Sequence, residues 1–166
     1  MASSLSGDAE TGRVEKHHWS SLEDYIWRHQ RRLGNYSSFV KEDYRAEIEP
    51  LPSDNPNISF LRIIMEIPCY GGVRLTIHKL AEIRKKQGRK IARTITYSYN
   101  ASSPQGNIFR YDNAHVHPGH TTKHHKHVFN GTGHQIAGSP FHIGEEGWPN
   151  MHEVIEELIE RSAQSN

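Results

Sequence analysis

Three long runs rich in β-branched and aromatic residues follow one another with turn residues between them, and this succession narrows the fold more than any other feature. Residues 59–67 (SFLRIIMEI) form a largely apolar run ended by Pro68. Gly71-Gly72 separates it from 73–83 (VRLTIHKLAEI), and the turn-like Gln87-Gly88 separates that from 90–99 (KIARTITYSY). Runs of this composition bounded by Gly and Pro read as strands, and short connections between them make antiparallel neighbours. The pattern predicts a meander, with Ile91, Ile95, Tyr97 and Tyr99 sharing one face of its third strand.

Further strands are expected on both sides of the meander. Tyr44, Ala46 and Ile48 alternate, which marks 44–49 as a strand before the loop built on Pro50, Pro52 and Pro56. After a turn at 102–107, residues 108–112 make another, and 126–129 are expected to close the sheet, with Gly131, Gly133, Gly138, Ser139 and Pro140 left as loop. Ser20 followed by Glu23 has the form of a capping box, and Leu22, Tyr25, Ile26, His29 and Leu33 recur at helical spacing until Gly34 offers a left-handed stop. At the other end Pro149 precedes Asn150, which with Glu153 caps a helix whose stripe is Met151, Val154, Ile155, Leu158 and Ile159. The expected fold is α+β: an antiparallel sheet of four to six strands with N- and C-terminal helices on one face. Residues 1–16 are small and polar without periodicity and are expected to form a disordered tail, leaving 17–166 as a single domain.

With 166 residues the chain is long enough for one core. The hydrophobic share of 34% and mean hydropathy of −0.77 point to a small core or long polar segments. No apolar run approaches the roughly eighteen residues of a membrane span, and the first sixteen residues lack the apolar centre of a signal peptide, so a cytoplasmic protein is expected. The single cysteine, Cys69, ends an apolar run and reads as a small buried side chain. Net charge is +1, yet Arg84, Lys85, Lys86, Arg89, Lys90 and Arg93 crowd into one hairpin. Such a cluster either holds phosphates or solubilises and protects a sheet edge.

The chemistry concentrates in 107–129 (NIFRYDNAHVHPGHTTKHHKHVF), which carries six of the thirteen histidines: His115, His117, His120, His124, His125 and His127. In a strand over 108–112, Arg110 and Asp112 share a face and project together to where the histidines begin. RNA cleavage without a metal requires a base for the 2′-hydroxyl, an acid for the departing 5′-oxygen and cations for the phosphorane. Imidazole serves as either acid or base near neutral pH. Arg110, Lys126 and Lys123 are candidate cations, Asp112 is placed to orient a ring, and Tyr97, Tyr99 and Tyr111 are candidates for stacking on bases. Arg89, Lys90 and Arg93 are candidates for binding the RNA backbone. A rival reading uses His115, His117, His120, His125 and His127 with Asp112 as ligands of zinc or manganese in a metal-dependent nuclease or phosphodiesterase, although no zinc-finger, HExxH or zinc-deaminase spacing is present. A third reading is a non-enzymatic nucleic-acid-binding or regulatory module in which the basic hairpin matters and His127 does not.

The runs Y-S-Y (97–99), F-R-Y-D-N-A-H (109–115) and H-H-K-H (124–127) resemble the core of the TumE-type toxin family, over roughly residues 58–129. The resemblance implies a growth-inhibiting toxin of a type II toxin-antitoxin pair, with a RelE- or barnase-like sheet, that acts on RNA and is neutralised by a helix-turn-helix antitoxin. The shared motif positions are Arg110, Asp112, His115, His124, His125, Lys126 and His127. The polar start, the first helix, the C-terminal helix, His117 and His120 exceed the compact pattern.

Overall fold

The computed structural model describes residues 17–115, 118–119 and 122–164. The expected tail at 1–16, together with His117 and His120, lies outside the described residues. The element order is β1 (Ser20–Ser21), α1 (Leu22–Gly34), β2 (Arg45–Leu51), β3 (Ile58–Pro68), β4 (Arg74–Lys86), β5 (Arg89–Ser103), β6 (Gly106–Asp112), β7 (His125–Val128), β8 (Phe141–His142) and α2 (Met151–Gln164).

Strands β2 to β8 pair in chain order, each antiparallel to the next, as a single meander. The short β1 pairs with β5 beside Ile91 and Ala92, on the stretch of that strand's edge that β6 does not reach. The sheet therefore has eight strands instead of four to six, because the segment before α1 adds β1 and the loop after β7 returns as β8. The β4–β5 hairpin turns on two residues, Gln87 and Gly88, with φ of 49° and 76°. Positive φ at both central residues matches the right-handed twist of the flanking strands.

Alternation along β3 and β4 buries Leu61, Ile63, Met65, Ile67, Leu75, Ile77, Ala81 and Ile83 on one face. They join Ala92, Tyr97, Tyr99, Ala101, Phe109 and Tyr111 of β5 and β6 beneath Tyr25 and Leu33 of α1 and Met151, Val154, Ile155 and Leu158 of α2. Both helices thus cover the same face, as α+β architecture requires. The alternation in β5 is not continuous. Leu80 opposes Thr96 while Ala81 opposes Thr94, so Ile95 is the extra residue of a bulge. The bulge moves Ile91 off the face that carries Tyr97 and Tyr99, correcting the uniform alternation expected for that strand.

Helix ends follow local chemistry with two corrections. The N-cap of α1 is Ser21, one residue later than expected, and its hydroxyl accepts the Asp24 N–H at 3.1 Å. Gly34 closes α1 without a left-handed residue, and Asn35 caps it in the right-handed region. In α2 the expected box is reciprocal: the Asn150 N–H donates to Glu153 Oε2 at 2.8 Å and the Glu153 N–H donates to Asn150 Oδ1 at 3.3 Å.

Candidate functional site

Register alone decides which motif residues meet. Arg110 pairs with His127, Tyr111 with Lys126 and Asp112 with His125 across β6 and β7. Directly opposed residues share a face. The face away from the helices therefore carries Arg110, Asp112, His125 and His127, and the helix face carries Tyr111 and Lys126. The H-H-K-H run is divided between the two sides by strand alternation.

On the open face Asp112 is the hub. Arg110 Nε donates to Asp112 Oδ2 at 2.8 Å, His125 Nδ1 lies 3.4 Å from Oδ1, and His127 Nε2 lies 3.4 Å from Oδ2. The Ala114 N–H also points to Oδ1, at 3.4 Å. Burial pushes the Asp112 carboxyl up, but the Arg110 guanidinium, the Ala114 N–H, His127 and His125 outweigh it and hold the group below its ordinary value. It is a carboxylate throughout the neutral range.

Partners fix the tautomer of His127. Arg110 Nη2 lies 3.2 Å from His127 Nε2, and a guanidinium nitrogen only donates. Nε2 therefore presents its lone pair, which leaves the proton on Nδ1 to be donated to Gln135 Oε1 at 3.3 Å. Gln135 also accepts from the Ser139 hydroxyl at 3.0 Å, and that hydroxyl accepts the Val128 N–H at 3.1 Å. The loop after β7 thus orients the ring while pairing with the strand's outer edge. It is held in turn by close backbone contact at the β5–β6 turn, where a Cβ on Gly133 would lie 3.1 Å from the Gln105 carbonyl oxygen. Gly133 has a φ of 79°, so a side chain there is strained as well as crowded.

Exposure divides the roles further. The Arg110 side chain is 39% exposed, whereas His125 is at 0%. The His115 ring, exposed on the loop after β6, lies 5.7 Å from that of His125, and His142 of β8, opposite His125, brings its ring to 5.1 Å. His125 is thus an interior ring enclosed by other imidazoles and oriented by Asp112. Among the described residues, no group of three or more His, Cys, Asp or Glu is placed to hold a metal ion.

The remaining motif residues serve the helix side. Lys126 pairs with Glu157 of α2 at 2.7 Å, and the Tyr111 hydroxyl donates to the same carboxylate at 2.6 Å. Burial pushes Glu157 up, but Lys126, Tyr111 and Arg161 more than offset it and hold the carboxyl low. His124 lies against Tyr97, with its Nδ1 3.0 Å from the tyrosine oxygen, and both rings stack on Trp148 at 4.9 Å. Burial pushes the His124 imidazole down. Tyr97, Tyr99 and Tyr111 are buried in the core and offer no exposed stacking platform. Lys123 is exposed on the loop before β7.

The basic hairpin stands apart. Nine residues of β5 separate Arg89 from Ser98, the partner of Asp112, which at about 3.3 Å per residue is roughly 30 Å. Arg93 and Arg84 are bound to the buried Glu82 and lie over Trp19, whereas Lys85, Lys86, Arg89 and Lys90 are exposed with no ion pair to a carboxylate among the described residues.

Sequence reasoning left Asn113, Gln135 and Glu157 unassigned. Asn113 continues the ladder where β6 ends: its Oδ1 accepts the Tyr97 N–H at 2.8 Å and its Nδ2 donates to the Ile95 carbonyl at 2.9 Å. Its place inside the R-Y-D-N-A-H run was the available signal. Gln135 and Glu157 carried none, since their partners are distant in sequence.

A family model described as Toxin TumE matches residues 32–163, most of the chain. No curated protein and no solved structure matches it.

Proposed function

Because the chain belongs to the TumE toxin family, we propose that it is the toxin of a toxin-antitoxin pair and acts as an endoribonuclease by histidine acid-base catalysis without a metal. The observation that carries this reading is the contact of His127 Nε2 with Arg110 Nη2 at 3.2 Å beside the Asp112 carboxylate. An imidazole nitrogen that presents its lone pair beside a permanent cation suits a phosphodiester next to a 2′-hydroxyl.

In this mechanism His127 Nε2 takes the 2′-hydroxyl proton as that oxygen attacks phosphorus, and Arg110 stabilises the equatorial oxygens. His115, on the exposed loop, protonates the departing 5′-oxygen. The products are a 2′,3′-cyclic phosphate and a 5′-hydroxyl, and the protons balance between the two rings. Asp112 stabilises the His127 imidazolium once it forms, across the 3.4 Å contact, and His125 holds Asp112 from the other side. His124 and Lys126 serve by fixing the strand from the helix side, and the exposed cations of the β4–β5 hairpin with Lys123 attract the RNA backbone.

Family membership implies an antitoxin partner; a helix-turn-helix antitoxin that covers this face is part of the proposal, as is cytoplasmic action on RNA. Among the described residues no helix is long and apolar enough to cross a membrane. The test is induced expression in a bacterial host without antitoxin. Wild type should arrest growth, and Arg110→Ala and His127→Ala should not, while both purified variants keep wild-type circular dichroism and melting. A folded Arg110→Ala/His127→Ala double variant that still arrests growth overturns the site. If activity appears only with added zinc or manganese, the same rings act as ligands.

A further inference from the structure

On the opposite face, under α1, a cavity of about 60 Å³ opens between that helix, β4 and the start of α2. A single water needs roughly 10–15 Å³ on such a measure, so there is room for a small tetrahedral group. Lys79 enters from the sheet, Arg28, His29 and Arg32 from α1, and Ser20 from the chain before it. No Asp or Glu lines it among the described residues.

The polar atoms have an incomplete set of partners. The His29 ring donates from Nδ1 to the Tyr25 carbonyl at 2.7 Å, so Nε2 accepts from Lys79 Nζ at 2.9 Å. Lys79 also lies 5.2 Å from the centre of the Tyr99 ring. Neither Lys79, Arg28 nor Arg32 forms an ion pair with a carboxylate among the described residues. The Ser20 hydroxyl is buried with no hydrogen-bond partner among them. Two guanidiniums, the Lys79 amine and an unused hydroxyl around one void leave a deficit of negative charge that the fold does not fill.

We propose that this cavity is a binding site for a phosphate-type oxyanion, with Lys79, Arg28, Arg32 and Ser20 as its donors. The site is separate from the Arg110–His127 centre and does not rest on the nuclease reading. Its ligand is a single phosphate group, either free phosphate or the 5′-terminal phosphate of a nucleic acid.

Titration supports the assignment. Burial, then Arg32 and Arg28, bring Lys79 down to about 7, and burial, then Lys79, bring His29 down to about 3. Also facing the cavity region are His17 and His18 of the N-terminal segment, while Glu153 of α2 is engaged with the Asn150 N–H. A bound dianion favours charged Lys79 and so raises its pKa. Binding near neutral pH is therefore accompanied by proton uptake and weakens as pH rises.

The test is isothermal titration calorimetry of the full chain with inorganic phosphate and with short 2′-deoxy oligonucleotides bearing either a 5′-phosphate or a 5′-hydroxyl. Runs in two buffers of different ionisation enthalpy report the proton. Saturable binding with proton uptake is expected, weakened about tenfold or more by Lys79→Met and several-fold by Arg32→Gln, with RNA cleavage unchanged. Binding of phosphate alone assigns a free-anion site, and binding of the 5′-phosphorylated strand alone assigns a terminus site; either supports the proposal. Should Lys79→Met fail to fold, the wild-type Lys79 titration followed by NMR must shift upward with phosphate. No saturable binding of either probe, equal binding by folded Lys79→Met, or an unmoved Lys79 titration overturns it.

Discussion

Replacing Asp112 by Asn keeps the side chain's shape and removes the charge on which the open-face site converges. Three donors point at the carboxylate: Arg110 Nε at 2.8 Å, and His125 Nδ1 and the Ala114 N–H each at 3.4 Å; His127 Nε2, also at 3.4 Å, joins them once it is protonated. An amide accepts at one end only, so its NH2 must oppose either the Arg110 side or the His125 side. Breaking a buried pair typically costs about 3–5 kcal/mol, and a surface pair contributes up to about 1. Asp112 is buried but Arg110 is 39% exposed, and only that contact has full hydrogen-bond length, so about 2 kcal/mol is expected. In a domain of this size that lowers Tm by about 4–8 °C. On the proposed mechanism the loss in cleavage is larger. A carboxylate that holds a catalytic imidazole directly contributes about 10⁴-fold; with contacts of 3.4 Å, a fall in kcat of about 10²- to 10³-fold is expected. The folded carboxyl sits below its ordinary value, so its contribution to stability is present above the unfolded pKa of about 3.9 and is lost as pH falls through the folded one. The Tm gap between wild type and Asp112→Asn should hold from neutral pH to about pH 5 and close in stronger acid. Calorimetry across pH with single-turnover RNA cleavage measures both effects. A variant with unchanged Tm and cleavage rate would refute the hub assignment.

Other substitutions separate the two faces. Glu157→Ala strands Lys126 and Tyr111 and should cost about 2–3 kcal/mol in denaturant unfolding while leaving kcat near wild type. Its pH dependence has the same sign as that of Asp112: stability from Glu157 is present at neutral pH and lost in acid. Asn113→Ala orphans the Tyr97 N–H and the Ile95 carbonyl, so a cost of about 2 kcal/mol in Tm-derived stability should come with slower cleavage, because the chain leaves β6 toward His115 there. Changing Arg89 and Lys90 to Gln should raise KM without lowering kcat, and reduce the salt slope of RNA binding by roughly 0.7 for each lost phosphate contact.

How much of this was legible in the sequence depends on the range of the interaction. The β3–β5 meander, the Gln87-Gly88 hairpin and the α2 capping box follow from periods and caps spanning a few residues, and the structure has them. The pairing of Arg110 with Asp112 on one face was likewise visible from alternation within β6. The bulge at Ile95 was not, because an extra residue is defined only against the partner strand. Nor was β8, since two residues carry no period. The division of His124 and Lys126 from His125 and His127 lies in the alternation of 124–127, but which side faces α2 is decided by Glu157 and Trp148, far along the chain. Gln135 was invisible for the same reason: it reaches His127 only once the loop folds back on β7.

Cleavage of a mixed-sequence RNA by purified protein in EDTA, with the product ends identified, tests the central claim most directly. The account predicts 2′,3′-cyclic phosphate and 5′-hydroxyl ends from wild type, and no cleavage by folded His127→Ala. Undiminished cleavage by that variant, or cleavage by wild type only when zinc or manganese is restored, would contradict it.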